Sequence, residues 1–282
     1  MDRTGKEDEV ISTPHDKPNA PRIAASSYLN TAPLIWSFTH GSRRGEIELV
    51  TDAAPARCAD LLAWGKVDAA LVPVIEYQRI PEIAIVPGVC VGARSQVRSV
   101  VLATRIESLA EIRTVALDTS SRTSAALVEI IFREFLDRQP RLSPAQPDLA
   151  AMLRTHDAAL LIGDPAMTFP RDDMQVYDLA SLWREYTGLG FVFAMWMTPE
   201  HKATEMRAVD FAGARHEGLA HAEEIARQYE GELGLSRPEL LSYLRENICY
   251  ELDEEMHAGL ELFYHLAHKH GLTKTARPLR FV

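Results

Sequence analysis

The sequence predicts an α/β protein of two lobes followed by a helical return, and three observations carry that prediction. The stretch IELVTDAAPARCADLLAWGKVDAALV (47–72) alternates strand, helix and strand, the unit that builds a parallel sheet covered by helices. TVALDT (114–119) followed by an amphipathic run from Ala125 to Leu136 opens a second unit of this kind. From Lys202 onward the pattern is helical. With 282 residues and 46% hydrophobic content, the chain is long enough for one large or two medium domains. The expected division is a disordered tail over 1–21, a first lobe over 22–100 plus 199–282, and a second lobe over 101–198.

Taken in order, the first twenty residues mix both charge signs with proline and contain no apolar run, so they do not form a secretory leader. Arg22 to Ser26 reads as a strand and Pro33 to Phe38 as the start of a helix. Ile47 to Thr51 is the next strand, Pro55 to Trp64 a helix with proline tolerated in its first turn, Gly65 its stop, and Ala69 to Val72 a strand. IVPGVCVGARS and Arg98 to Thr104 read as strands. A short helix around Asp148 to Arg154 leads into the apolar run of DAALLIGDPA, which ends at Gly163, Asp164 and Pro165. YDLASLWREYTG reads as a helix stopped by Gly188, and Phe191 to Thr198 as a buried strand. Helices are then expected over Ala203 to Tyr229, Arg237 to Glu246 and Asp253 to His270.

Composition narrows the partners. Thirty Lys and Arg against forty Asp and Glu give a net charge of −10, which opposes non-specific binding to nucleic acid or to an anionic membrane. No segment approaches the ~20 apolar residues of a membrane-spanning helix. Cys58, Cys90 and Cys249 are far apart with no C-x-x-C pair, so neither a disulfide framework nor a cysteine zinc site is signalled, and a reduced cytoplasmic setting fits. The P-loop, the dinucleotide-binding glycine pattern, the nucleophile elbow and the zinc-protease motif are all missing from the sequence. A small-molecule ligand with no metal and no cofactor is the expectation.

In sheets of this kind ligands gather beyond the carboxyl ends of the strands. Ser27 to Thr31, Pro73 to Tyr77, Thr119 to Ser124 and Gly163 to Pro165 all occupy such positions, and one cleft shared by all four is expected. The richest is the loop after TVALDT, where Ser120, Ser121, Arg122, Thr123 and Ser124 crowd four hydroxyls and a guanidinium before a helix start. Unpaired N–H groups there attract carboxylates or phosphates, although capping alone needs one hydroxyl. Asn30 suits a substrate hydroxyl or carboxylate, and equally a turn or cap. Asp164 before Pro165 has the pattern of a helix start, with Gly163 allowing close backbone approach. Glu76 is either a base or a surface glutamate, and Ser99 faces a cleft or the second side of a sheet. His265, His268 and His270 invite a metal reading, yet histidine at a helix C-terminus is also favoured by the dipole.

The segments ASSYLNTAPLIW, DAALVPVIEYQRIP, IVPGVCVGARSQVRSVVLAT, TVALDTSSRTSAAL and DAALLIGDPA, in this order between Arg22 and Thr198, resemble the chorismate dehydratase family of the futalosine route to menaquinone. The resemblance implies a two-lobe fold like that of type II periplasmic solute-binding proteins, and a hydro-lyase that takes chorismate to 3-[(1-carboxyvinyl)oxy]benzoate. It further implies that Asn30 is the active-site asparagine and Ser99 the serine on the strand that enters the second lobe. Carboxylate binding then falls to Ser27, Thr119, Ser120, Ser121, Arg122, Thr123, Gly163 and Asp164, with Ser121 and Thr123 in direct contact. No dedicated protein base is visible, so the substrate's own enolpyruvyl carboxylate is the expected proton acceptor. Two alternatives remain at this point: a sibling lyase acting on cyclic dehypoxanthinyl futalosine, and a binding module that holds a small anion without chemistry.

Overall fold

The computed structural model describes residues 20–282, so nearly all of the expected tail over 1–21 lies outside the described residues. Among the described residues ten strands form two five-stranded sheets. The first is ordered β2 (Glu48–Asp52), β1 (Arg22–Ser26), β3 (Ala69–Pro73), β10 (Phe191–Pro199), β4 (Ile83–Ala93). The second runs β7 (Arg141–Ala145), β6 (Thr114–Asp118), β8 (Ala158–Ile162), β5 (Val100–Thr104), β9 (Gln175–Asp178). Each begins with three parallel strands and has an antiparallel strand in fourth place, β10 in the first sheet and β5 in the second. The chain passes from lobe to lobe in the segments just before those two strands.

The inner strands follow directly from composition. AALVP, VVLAT and AALLI are buried along their whole length, as strands covered on both faces must be. Strand pairing divides the lobes differently from the boundaries expected at residues 100 and 198. Val100 already pairs with Ile162 in the second sheet, and the whole of β10 ladders with β3 and β4 in the first. The return crossing therefore lies at 188–190, just after the left-handed Gly188 that ends the helix Leu179–Thr187. Beside it the buried Trp183 donates its indole N–H to the Gly190 carbonyl at 3.1 Å.

Two strands go unread in the sequence, and both are sheet edges. β7 carries Pro144 opposite Leu117, which only an edge tolerates, and the four residues of β9 run straight into the Asp178 cap of the following helix. The expected helix from Ala203 to Tyr229 is three: Ala203–Met206, Phe211–Ala220 and Ala222–Leu233. The Asp210 carboxylate starts the second by accepting from Gly213 N at 2.8 Å. Beyond Gly271 the chain is no longer helical and straps β4, with Ile85 bonded to both Arg280 and Val282.

Candidate functional site

Between the lobes lies a cavity that spans about 530 Å³ when the solvent at its mouth is counted, with about 50 Å³ of free room for water-sized groups inside it. Each of the four expected strand ends reaches it, through Tyr28, Asn30 and Thr31, through Pro73, through Ser121 and Ser124, and through Gly163. Its floor is made where the chain enters each lobe, with Ser99 just before β5 and Val100 at its start, not in a strand from Arg98 as expected, and with Phe193 and Ala194 from β10. Leu71, Val91, Val97 and Ile162 supply the rest of an apolar wall.

Four helices begin at this wall: Ala32–Thr39, Pro55–Ala63, Arg122–Ile130 and Asp164–Thr168. Thr31, Pro55, Ser121 and Gly163, each the first residue of its helix or the one before, line the cavity. The positive ends of four peptide dipoles are thereby gathered on one space, although three of the helices carry proline in the first turn and Ala32 N, Ala56 N and Ala166 N are already bonded to the Leu29, Ser120 and Gly163 carbonyls. Among the described residues the lining contains no Lys, Arg, His, Asp or Glu. Its one titratable group is Tyr28, whose hydroxyl is pushed up to about 12, by burial first and then by the Asp118 carboxylate. The cavity therefore offers a ligand dipoles and hydroxyls and no formal positive charge.

The hydroxyls are ordered by one another. Ser26 Oγ and Thr31 Oγ1 are 2.8 Å apart, and the Thr31 hydroxyl donates to Asn30 Oδ1 at 3.3 Å. That bond assigns the amide so that its NH₂ is the end left to donate. Across the cavity Ser121 accepts from Ser124 N at 3.2 Å as the helix cap and donates to Ser124 Oγ at 2.8 Å. Gly163 has φ +66, and a Cβ there would sit 2.6 Å from the Tyr28 ring, so only glycine lets the second lobe close over that tyrosine.

Of the residues expected to hold substrate, Asn30, Ser99, Ser121 and Gly163 line the cavity. The others lie behind it or at its rim, and most join the lobes. Asp164 accepts from Leu29 N at 3.1 Å, Thr123 Oγ1 from Ile75 N at 3.2 Å, and the Ser120 carbonyl from Ala56 N at 3.1 Å. Arg122 does not reach the cavity: its guanidinium bonds Asp60 at 2.7 Å and Glu76 at 3.3 Å, both in the first lobe. Glu76 is thus neither base nor surface residue but a buried partner of Arg122 and Arg79. Thr119 and Ser27 are exposed, and the Ser27 carbonyl accepts from Tyr229 at 3.0 Å. The three histidines make no metal site: among the described residues no cluster of metal-ligand type occurs, and His270 instead meets Glu134 at 2.8 Å.

Burial raises the Asp164 carboxyl to about 6, a rise that the Leu29 N–H opposes and Glu232 adds to. Asp118 is likewise pushed up by burial and spends one oxygen on Ser120 N at 2.8 Å. Sequence reasoning missed Tyr28, although it stands inside the SYLN word, and Tyr243, whose hydroxyl donates to Ser99 Oγ at 2.7 Å. It also missed how Ser99 is aimed. Arg98 before it has φ +64, an uncommon conformation for a side-chain-bearing residue, and the buried Asp178 carboxylate holds it by accepting from Val97 N and Arg98 N. Nothing in the local sequence around Ser99 announces either partner.

A family model described as menaquinone biosynthesis matches residues 21–269. The chorismate dehydratase of Thermus thermophilus is 31% identical over 255 residues, covering 84% of this chain and 91% of the relative. Among solved structures, protein AF1704 from Archaeoglobus fulgidus superposes with a TM-score of 0.72 at 20% identity, covering 89% of this chain and 98% of the other. The periplasmic aliphatic sulphonate binding protein SsuA from Escherichia coli gives 0.62 at 18% identity, with 94% of each chain covered. These two likenesses establish the fold, that of the periplasmic binding proteins.

Proposed function

The chain belongs to the chorismate dehydratase family of menaquinone biosynthesis, and from that membership we propose that it removes water from chorismate in the interlobe cavity to give 3-[(1-carboxyvinyl)oxy]benzoate. The observation that supports this reading is a cavity ringed by helix starts and hydroxyls in which Tyr28 is the one titratable group. Chorismate is a dianion, and dipoles of this kind hold carboxylates without a salt bridge. Tyr28, kept neutral by its high pKa, does not act as a base at neutral pH.

The reaction then proceeds by substrate assistance. The enolpyruvyl carboxylate takes the proton from C3; the electron pair enters the ring and spreads into the ring carboxylate. The C4–O bond breaks, the enolpyruvyl carboxyl passes its proton to the departing hydroxyl, water leaves with the carboxylate restored, and the ring becomes aromatic. A lysine or arginine against the enolpyruvyl carboxylate would lower its basicity, so a cavity without cations suits a substrate that supplies its own base. Asn30 orients that carboxylate through its NH₂, and Ser121 with the start of Arg122–Ile130 holds the ring carboxylate as charge arrives on it. Ser99, at the floor, meets the reacting edge.

Purified protein treated with chelator is incubated with chorismate and followed by mass spectrometry and ultraviolet absorbance. The expected product is an enolpyruvyl-oxybenzoate one water lighter than chorismate. Folded protein that leaves chorismate unchanged beyond its spontaneous decay would overturn the reading.

A further inference from the structure

Ser99 is fully buried from solvent, yet it lines the cavity. Its Oγ accepts a hydrogen bond from the hydroxyl of Tyr243, which comes from the C-terminal helical return, 144 residues away in sequence. Tyr243 is itself fully buried, and the Asn30 side chain interacts with the same hydroxyl. Burial raises its pKa above that of an ordinary tyrosine, so the hydroxyl keeps its proton at any physiological pH. Tyr243 sits where Arg237–Ser242 gives way to the π-turn Tyr243–Asn247, an irregularity frequent at functional positions.

Thr31 donates to Asn30 Oδ1, the Asn30 side chain bears on the Tyr243 hydroxyl, and the hydrogen of that hydroxyl goes to Ser99 Oγ. Ser99 Oγ has accepted, and among the described residues its own hydrogen meets no protein acceptor. We propose that Tyr243 is a positioning residue, whose donation to Ser99 Oγ commits the Ser99 hydroxyl to donate into the cavity, to a substrate oxygen. The inference rests on the chorismate reading and deepens it. A serine free to rotate would present hydrogen or lone pair by turns, and only one of these stabilises an oxygen that gains charge.

The test is a double-mutant cycle on chorismate turnover with Tyr243→Phe, Ser99→Ala and the pair, alongside the melting temperature of each. Tyr243→Phe is expected to lower kcat about tenfold with KM within about twofold. In the Ser99→Ala background the same change is expected to cost nothing further, which a merely structural tyrosine would not show. Effects that multiply, or a loss confined to KM, overturn the inference. Should Tyr243→Phe fail to fold, tyrosine ring carbons labelled for NMR in otherwise unaltered protein replace it. The Tyr243 signal is then expected to move on Ser99→Ala, and a signal that stays still overturns the assignment. A wild type that leaves chorismate unchanged overturns the reading and the inference together; a wild type that dehydrates it, with Tyr243→Phe at full kcat, overturns the inference alone.

Discussion

The cavity wall and the layer directly behind it are built from opposite materials. The wall presents hydroxyls, helix starts and aliphatic side chains, with no charged group among the described residues. One residue further back stand Arg122, Asp60, Glu76, Asp118 and Asp164. The charges of this region fasten lobe to lobe or loop to strand, and the space for the ligand is left to dipoles. The lesson is that a sequence cluster rich in anion-binding residue types divides its labour by side-chain direction: Ser121 and Ser124 face in, while Arg122 and Thr123 face the other lobe.

Three changes probe that division. The largest effect is expected from the wall. Asn30→Ala should lower kcat about 10²-fold or more, with little change in KM, because the amide acts on the reacting part of the substrate rather than on its grip; steady-state kinetics read both, and full turnover would remove Asn30 from the chemistry. Second, Arg122→Met takes one of two cations from Glu76, whose side chain is 4% exposed, and, among the described residues, the one cation that pairs with Asp60. The expected cost is about 1–2 kcal/mol in urea unfolding, discounted from that of a fully buried pair because the guanidinium is a third exposed, with kcat nearly intact. A kcat loss as deep as that of Asn30→Ala would erase the distinction between wall and fastening.

The smallest effect concerns pH. Asp164 titrates near 6 in the folded protein against an ordinary 3.8, so the folded state binds this proton more tightly than the unfolded chain does. Its contribution to stability is present below about pH 4 and is lost as pH rises through 6, a change on the order of 2 kcal/mol. Asp164→Asn keeps an acceptor for Leu29 N without the titration. Denaturant unfolding at pH 4 and pH 7 should show wild type losing that amount relative to the variant; an equal difference at both pH values would mean the carboxyl is not buried at closure.

Much of this layout was legible in the sequence wherever local pattern and position agree. The inner strands announce themselves by unbroken apolar runs, and the strand–loop–helix junctions at Asn30, Ser121 and Gly163 place those residues at the carboxyl ends of strands. What escaped is non-local or at an edge. Pro144 hides β7 because proline reads as a break, although an edge strand accepts it. Arg122 reads as an anion donor because Asp60 and Glu76, 62 and 46 residues away, leave no mark beside it. Tyr243 falls in a helical pattern at core spacing from Leu240, so periodicity explains its ring and says nothing of its hydroxyl. Side-chain bonds between distant segments are the part of a site that no window along the chain contains.

The placement of β10 between β3 and β4 also sets an order of events during synthesis. The second sheet is complete once the chain reaches Asp178, since β5 to β9 are contiguous. The first lacks its fourth strand until Pro199 emerges, and β4 stays unpaired in the sheet until then. The lobe begun first is therefore finished last, and its hydrophobic β3 and β4 must wait through more than a hundred residues of synthesis for the strand that joins them.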